Sequence, residues 1–352
     1  MKNSKLIYVI ALFAIFLHAC SDDNDKPDEP LGDYENGYFI TNEGPFQNGS
    51  GTITFVGEDG QVSQNVYNSV NGEDLGNIVN SMTIVNDRGY IVVNNSNKIV
   101  VVNKYTMEKE AEIEGNSIVN PRFLVANNGK GYVSNWGDPL NADDDFITVI
   151  SLETNEILGT ISVGEGPEKM IIDTDNLYVC LQGGFGSNNK VVVIDTNNDS
   201  VVTNLVVGDV PNSIVADGNG SLWVLCGGNP AWTGNETPGF LFKIIPGNNT
   251  VSSIEFGNTE HPSLLSSDVE NLYYSLNGKV FQMNDSDDSL PSEGLAGLDG
   301  FYYSMTVRDG ELYATDAGDY ASEGSLKIFS LSAGTLIETI TTGIIPGQVV
   351  FP

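Results

Sequence analysis

The 352-residue chain holds two histidines, three cysteines and only 15 lysines and arginines, set against 47 aspartates and glutamates. Each scarcity removes a class of function. A formal net charge of −32 leaves no basic face for phosphate contact, which excludes nucleic-acid binding and charge-driven adhesion to lipid headgroups. His18 falls in a leader-like first segment, so His261 is the one histidine left beyond it, and no Ser–His–Asp set can be assembled. Cys180 and Cys226 each lie in an apolar run, with no Cys or His at metal-ligand spacing, and read as buried free thiols. Carboxylates are plentiful, but their spacing fixes no paired-carboxylate geometry. The expectation is a protein that is not an enzyme and carries neither catalytic cofactor nor metal. The DDD of residues 143–145 offers oxygen ligands to calcium, or is simply a solvated loop.

Long apolar runs are missing too. Leu6 to Leu17 spans 12 residues behind Lys2 and Lys5, too short to cross a bilayer and arranged as a secretory signal. Leu17, Ala19 and Cys20 resemble a bacterial lipobox with His18 as an unusual filler; an ordinary signal with a chance cysteine is the alternative. On the lipobox reading, residues 1–19 are removed, Cys20 is acylated, and lipid alone holds the chain to a membrane. Residues 20–36 are acidic and nearly free of apolar side chains, which predicts a flexible, self-repelling tether. An acidic run behind an acylated cysteine also resembles the surface-export signal of outer-membrane lipoproteins in gut Gram-negative anaerobes. A spacer on a periplasm-facing lipoprotein is the alternative.

What the chain has in abundance is glycine, 39 residues, together with Asn and Asp, the chemistry of tight turns between short strands. An aromatic recurs at the head of an apolar strand: Tyr38, Tyr90, Tyr132, Tyr178, Trp223, Tyr273 and Tyr313, at intervals of 40 to 52 residues. Such a period, without helical periodicity, predicts a ring of small sheets. The fourth unit parses into four strands, EKMII, LYVCL, KVVVID and SVVTNLVVG, separated by turn residues. The first unit lacks a first strand and the terminal QVVF lacks a successor. The fold expected over residues 37–352 is therefore all-β, a seven-bladed β-propeller of four-stranded blades closed by the C-terminal strand, with six or eight blades as the alternative if an irregular copy is misread.

The links divide by length. First-to-second and third-to-fourth links are terse (NDRG, NNGK, TNND), whereas the opposite rim takes long second-to-third and inter-blade links. The long ones carry Phe46, Trp136, Phe185, Trp232 and Tyr320, with Tyr67 as a further candidate. Aromatics gathered on one rim with polar neighbours such as Asn135, Gln182 and Asp316 predict a ligand platform. Aligning the innermost strands by their apolar cores places Ser81, Arg122, Lys169, Ser213, Ser263, Ser304 and Gln348 at the channel mouth. Arg122 and Lys169, rare cations here, are placed to meet a phosphate or carboxylate; polar residues where strands start in water are the bland alternative.

The pieces DFITVISLETNEILGTISVGEGP and KVVVIDTNNDSVVTNLVVGDVP resemble the YncE-type seven-bladed propellers across nearly the whole chain beyond the leader. Together with Cys20, SDDND and the loop-rich rim, the chain is similar to BtuG-type lipoproteins. That resemblance implies cobalamin as a captured ligand, a TonB-dependent outer-membrane transporter as partner, and a place on the cell exterior. A glycan-binding lipoprotein, or an interaction or surface-layer scaffold without a small ligand, are the competing readings.

Overall fold

The computed structural model describes residues 31–46, 48–138, 140–184 and 186–352. Cys20, the leader and Phe185 lie outside the described residues. The described chain forms seven antiparallel sheets, and the innermost strands of successive blades touch around a closed ring. It is a seven-bladed β-propeller. The fourth unit shows how sequence makes a blade: strands Pro167–Asp173, Asn176–Leu181, Lys190–Asp195 and Ser200–Val206 pair in that order. The turns between them are short because the left-handed backbone they need is supplied by small polar residues. In the third unit Asn128 and Gly129, both at positive φ, turn the first strand into the second.

Strand alternation then builds the core. Leu177 and Val179 face one side of the fourth sheet and, with Met170 of the same sheet, join Tyr132 and Val149 of the third blade. Tyr178 and Cys180 face the other side and join Leu222 and Val224 of the fifth. Seven such clusters fill the seven seams between blades. Each fully buried aliphatic contributes about 1.5–3 kcal/mol, so a blade is stable only between neighbours.

The ring closes as the sequence predicts. Pro346–Val350 pairs antiparallel with Gly37–Asn42, setting Val350 opposite Phe39. Two blades depart from regularity. The outer strand of the first, Val62–Ser63, is two residues long, and the six-residue helix Val66–Asn71 packs against the neighbouring strand Thr52–Gly57. The sixth blade has three strands, Ser263–Ser267, Asn271–Leu276 and Lys279–Asn284, and its outer edge receives a single backbone bond from Leu295 to Val280 at 2.7 Å. The end of the expected tether is docked: the Tyr34 N–H donates to the Tyr105 carbonyl at 2.9 Å and its ring lies edge-on to Phe55. Among the described residues no helix is long and apolar enough to cross a membrane.

The repeated aromatics secure the rim of terse links. From one blade to the next, the Tyr90 hydroxyl reaches Leu152 O, Tyr132 reaches Asp199 at 2.8 Å and Tyr178 reaches Asn249 at 3.0 Å. In the later blades the bond turns inward to the blade's own strands and turns: Trp223 to Asp217, Tyr273 to Asp268 and Tyr313 to Glu311. Those bonds depress the Asp217 and Asp268 pKa values against the upward push of burial.

Candidate functional site

Because every blade runs up and down from its inner strand, all second-to-third links emerge on one rim. Phe46 (first blade), Trp136 (third), Trp232 (fifth) and Tyr320 (seventh) are in such links. Phe301, absent from the sequence reading, joins them: 85% exposed, its ring reaches Gly278 in the matching turn of the sixth blade.

The loop around Trp232 is wet by composition yet tightly fastened. Asp209 accepts hydrogen bonds from Asn229 Nδ2 at 2.9 Å and Thr237 Oγ1 at 2.8 Å, and the Asn229 N–H donates to Thr237 Oγ1. His261 Nδ1 lies 2.8 Å from Gly227 O and Nε2 lies 3.4 Å from Glu236. The turn Ala231–Thr233, ended by Gly234 at φ 78°, lifts the indole off this frame, and Trp232 is 85% exposed. Burial would stabilise such a ring, so its presentation at the tip of a rigid loop fits a contact surface.

Tyr320 is presented in a similar way. Asp316 holds the base of its loop through the Gly318 N–H and Lys327, and Asp319 caps Ala321 and Ser322. Tyr320 is 58% exposed and meets Tyr303 edge-on at 6.0 Å. Phe46 is 72% exposed.

Trp136 is different. Its Nε1–H donates to Pro167 O at 3.0 Å, and the Arg122 guanidinium lies 4.2 Å from a ring centroid. Arg122 in turn forms a two-pronged pair with Glu168, Nε to Oε2 at 2.9 Å and the second nitrogen to Oε1 at 2.8 Å. Burial opposes the Arg122 charge, but Glu168 more than compensates and its pKa is raised. From the first blade, Glu43 accepts the Tyr303 hydroxyl at 2.7 Å; burial raises the Glu43 carboxyl above its usual range, against Tyr303 and Arg122. Glu43, Tyr303, Arg122 and Glu168 thus form a polar floor at the loop-rich end of the channel.

The pairing register corrects the expected polar ring. Thr83, Val125, Ile171, Val215, Ser266 and Thr306 sit opposite the repeated aromatics. By pairing, Ser81, Lys169, Ser213, Ser263 and Ser304 do share a level, with Phe123. Arg122 and Gln348 stand one residue nearer the strand start, level with Asn80, Glu168, Asn212 and Tyr303.

Several expected ligand contacts are occupied by structural bonds. Ser81 donates to Arg122 O, Ser213 to Asn212, and Ser304 to Gly347 O, while Gln348 Oε1 accepts from Met82 N at 3.1 Å. Asn135 is fully buried between Val133 O, Thr148 and the Val119 N–H. Tyr67 is 1% exposed, its hydroxyl donated to Glu73, so it is core and not crown. The Gln182 side chain makes no hydrogen bond among the described residues and is half-buried.

The acidic run is built into its loop. Asp144 caps the Asp138 N–H, while Asp145, 3% exposed, accepts from Gly166 N at 2.6 Å and is pushed by burial up to about 7. Among the described residues no group of three or more His, Cys, Asp or Glu is placed to hold a metal. Cys180 and Cys226 are buried free thiols, and burial raises both pKa values.

Fold and rim together define an almost wholly β ring protein with one elaborated face. Residues 36–342 match a domain of unknown function, DUF5074, and the chain belongs to that family. No protein of curated function matches it in sequence. The fold is similar to that of a quinonprotein alcohol dehydrogenase-like protein of Bacteroides thetaiotaomicron, at 18% identity and TM-score 0.63, covering 90% of this chain and 78% of the other. Hydrazine synthase of Kuenenia stuttgartiensis is similar at 16% identity and TM-score 0.58, covering 83% and 90%. BamB of Moraxella catarrhalis is similar at 13% identity and TM-score 0.53, covering 89% and 84%. At these identities the likeness is one of fold.

Proposed function

We propose that this chain is a non-enzymatic capture protein whose loop-rich rim holds a broad, largely apolar ligand, and that the ligand is a corrinoid such as cobalamin. The carrying observation is the fastened loop that keeps Trp232 85% exposed, on the same rim as Phe46, Phe301 and Tyr320. A flat corrin edged with amides suits aromatic faces interspersed with amide and carboxylate side chains, such as those of Gln182 and Asn235. With Cys20 acylated, the ring would stand on the outer membrane facing the exterior and hand its ligand to a TonB-dependent transporter. Cobalamin absorbs visible light, so titration of the purified chain by absorbance tests the ligand. A saturable spectral change is expected; a flat titration removes the corrinoid reading.

The same exposed indole favours a second reading, a glycan-binding lipoprotein, because sugars stack on aromatic faces. Replacing Trp136 and Trp232 together by Ala would abolish sugar retention on an oligosaccharide array if that reading holds.

A further inference from the structure

We infer that Lys169 is the anion receptor of the channel floor, taking a phosphate oxygen from a ligand seated on the aromatic rim. The inference rests on the capture reading above and names the ligand group that reaches furthest inward. Among the cations at the floor, Arg122 is already committed, with both prongs on Glu168 and its face against Trp136. Lys169 is not committed. It stands on the innermost strand Pro167–Asp173 and lies 3.8 Å from the Phe123 ring centroid, making no hydrogen bond or ion pair among the described residues. Of the four serines at its level, Ser81, Ser213 and Ser304 have donated their hydroxyls to neighbouring protein oxygens, and Ser263 keeps a neutral hydroxyl. Lys169 is therefore the one cation at that level, and its ammonium donors meet no protein acceptor among the described residues.

The setting favours an oxyanion. Lys169 is half-buried, and burial first, then Arg122, lowers its pKa to about 8, while Glu168 acts the other way. A cation held in such a place gains from an anion that replaces lost hydration. Phe123 supplies a ring face but no acceptor, and Glu168 is occupied by Arg122. Glu43 accepts from Tyr303 across the floor. A corrinoid carrying its phosphodiester has one anionic group to offer; the same corrin stripped of the nucleotide arm does not.

The test uses the full chain, Lys169→Met and Lys169→Arg, titrated by calorimetry with cyanocobalamin, dicyanocobinamide and inorganic phosphate. Unchanged circular dichroism and thermal midpoint show that the variants fold. Lys169→Met is expected to weaken cyanocobalamin roughly ten- to hundredfold, the worth of one hydrogen bond to a charged group, and to spare dicyanocobinamide. Lys169→Arg should restore most of the loss. Equal losses on both corrinoids, or no loss on either, would overturn the assignment. If the unaltered chain binds neither corrinoid, the corrinoid reading fails and phosphate alone decides. Phosphate heat that vanishes in Lys169→Met keeps the receptor, and absence of phosphate heat in the unaltered chain ends it.

Discussion

The two rims of the ring use aromatic side chains in opposite ways. On the rim of terse links, Tyr90, Tyr132 and Tyr178 bury their rings in a seam and use their hydroxyls to hold the next blade. On the loop-rich rim, Trp232, Phe301, Phe46 and Tyr320 stand in solvent on loops stiffened by polar hydrogen bonds. Stability is thus concentrated in the seams and toward one end, while the other end is free to present surface. A protein that needed the exposed aromatics for folding would have buried them.

The widest separation between the rims should come from paired alanine variants. Tyr132→Ala removes a fully buried ring and is expected to lower unfolding free energy by about 3–5 kcal/mol in urea denaturation. Trp232→Ala should stay within about 0.5 kcal/mol of the parent. It should still lose ligand affinity by at least roughly thirtyfold if the indole is a central contact. Similar stability losses in the two variants would erase the distinction.

A smaller effect tests whether the loop is held or merely present. Asp209→Ala frees Asn229 and Thr237, and a cost of about 1–3 kcal/mol is expected, with faster protease cleavage within 227–239. Unchanged cleavage would mean that the frame does not depend on Asp209.

A separate effect is a pH dependence within the rim. Asp145 has a folded pKa near 7, above its unfolded value, so the folded state binds the extra proton between about 4 and 7. Its contribution to stability is complete below the unfolded pKa and is lost as pH rises through about 7. Asp145→Asn should flatten that part of the stability profile; an unaltered slope would show that the carboxyl is already ionised when folded.

The architecture was legible because its signal is periodic and apolar. An aromatic every forty-odd residues must fill an equivalent seam, and the orphan strands at the two ends could only pair with each other. The floor of the site was harder to read. Arg122 and Glu168 are 46 residues apart and meet only because two blades lie side by side. Both follow a proline, Pro121 and Pro167, at the same offset, and an alignment anchored on the prolines would have placed them opposite each other. Alignment on apolar cores instead put Arg122 level with Lys169 by matching Phe123 to Met170, whereas the pairing matches Leu124 to Met170. Tyr67 misled for another reason: a short helix replaces most of the outer strand of the first blade and buries it, and six residues are too few to show a helical period. Phe301 stood in a segment that the repeat does not describe.

The first sheet draws on residues 346–350 and 37–42, so it unites segments separated by almost the whole sequence. Until the final strand arrives, the leading blade has an open flank and the ring resembles a broken clasp. The terminal strand thus acts as the latch of the circle, and the Tyr303–Glu43 bond ties together the two blades that it joins.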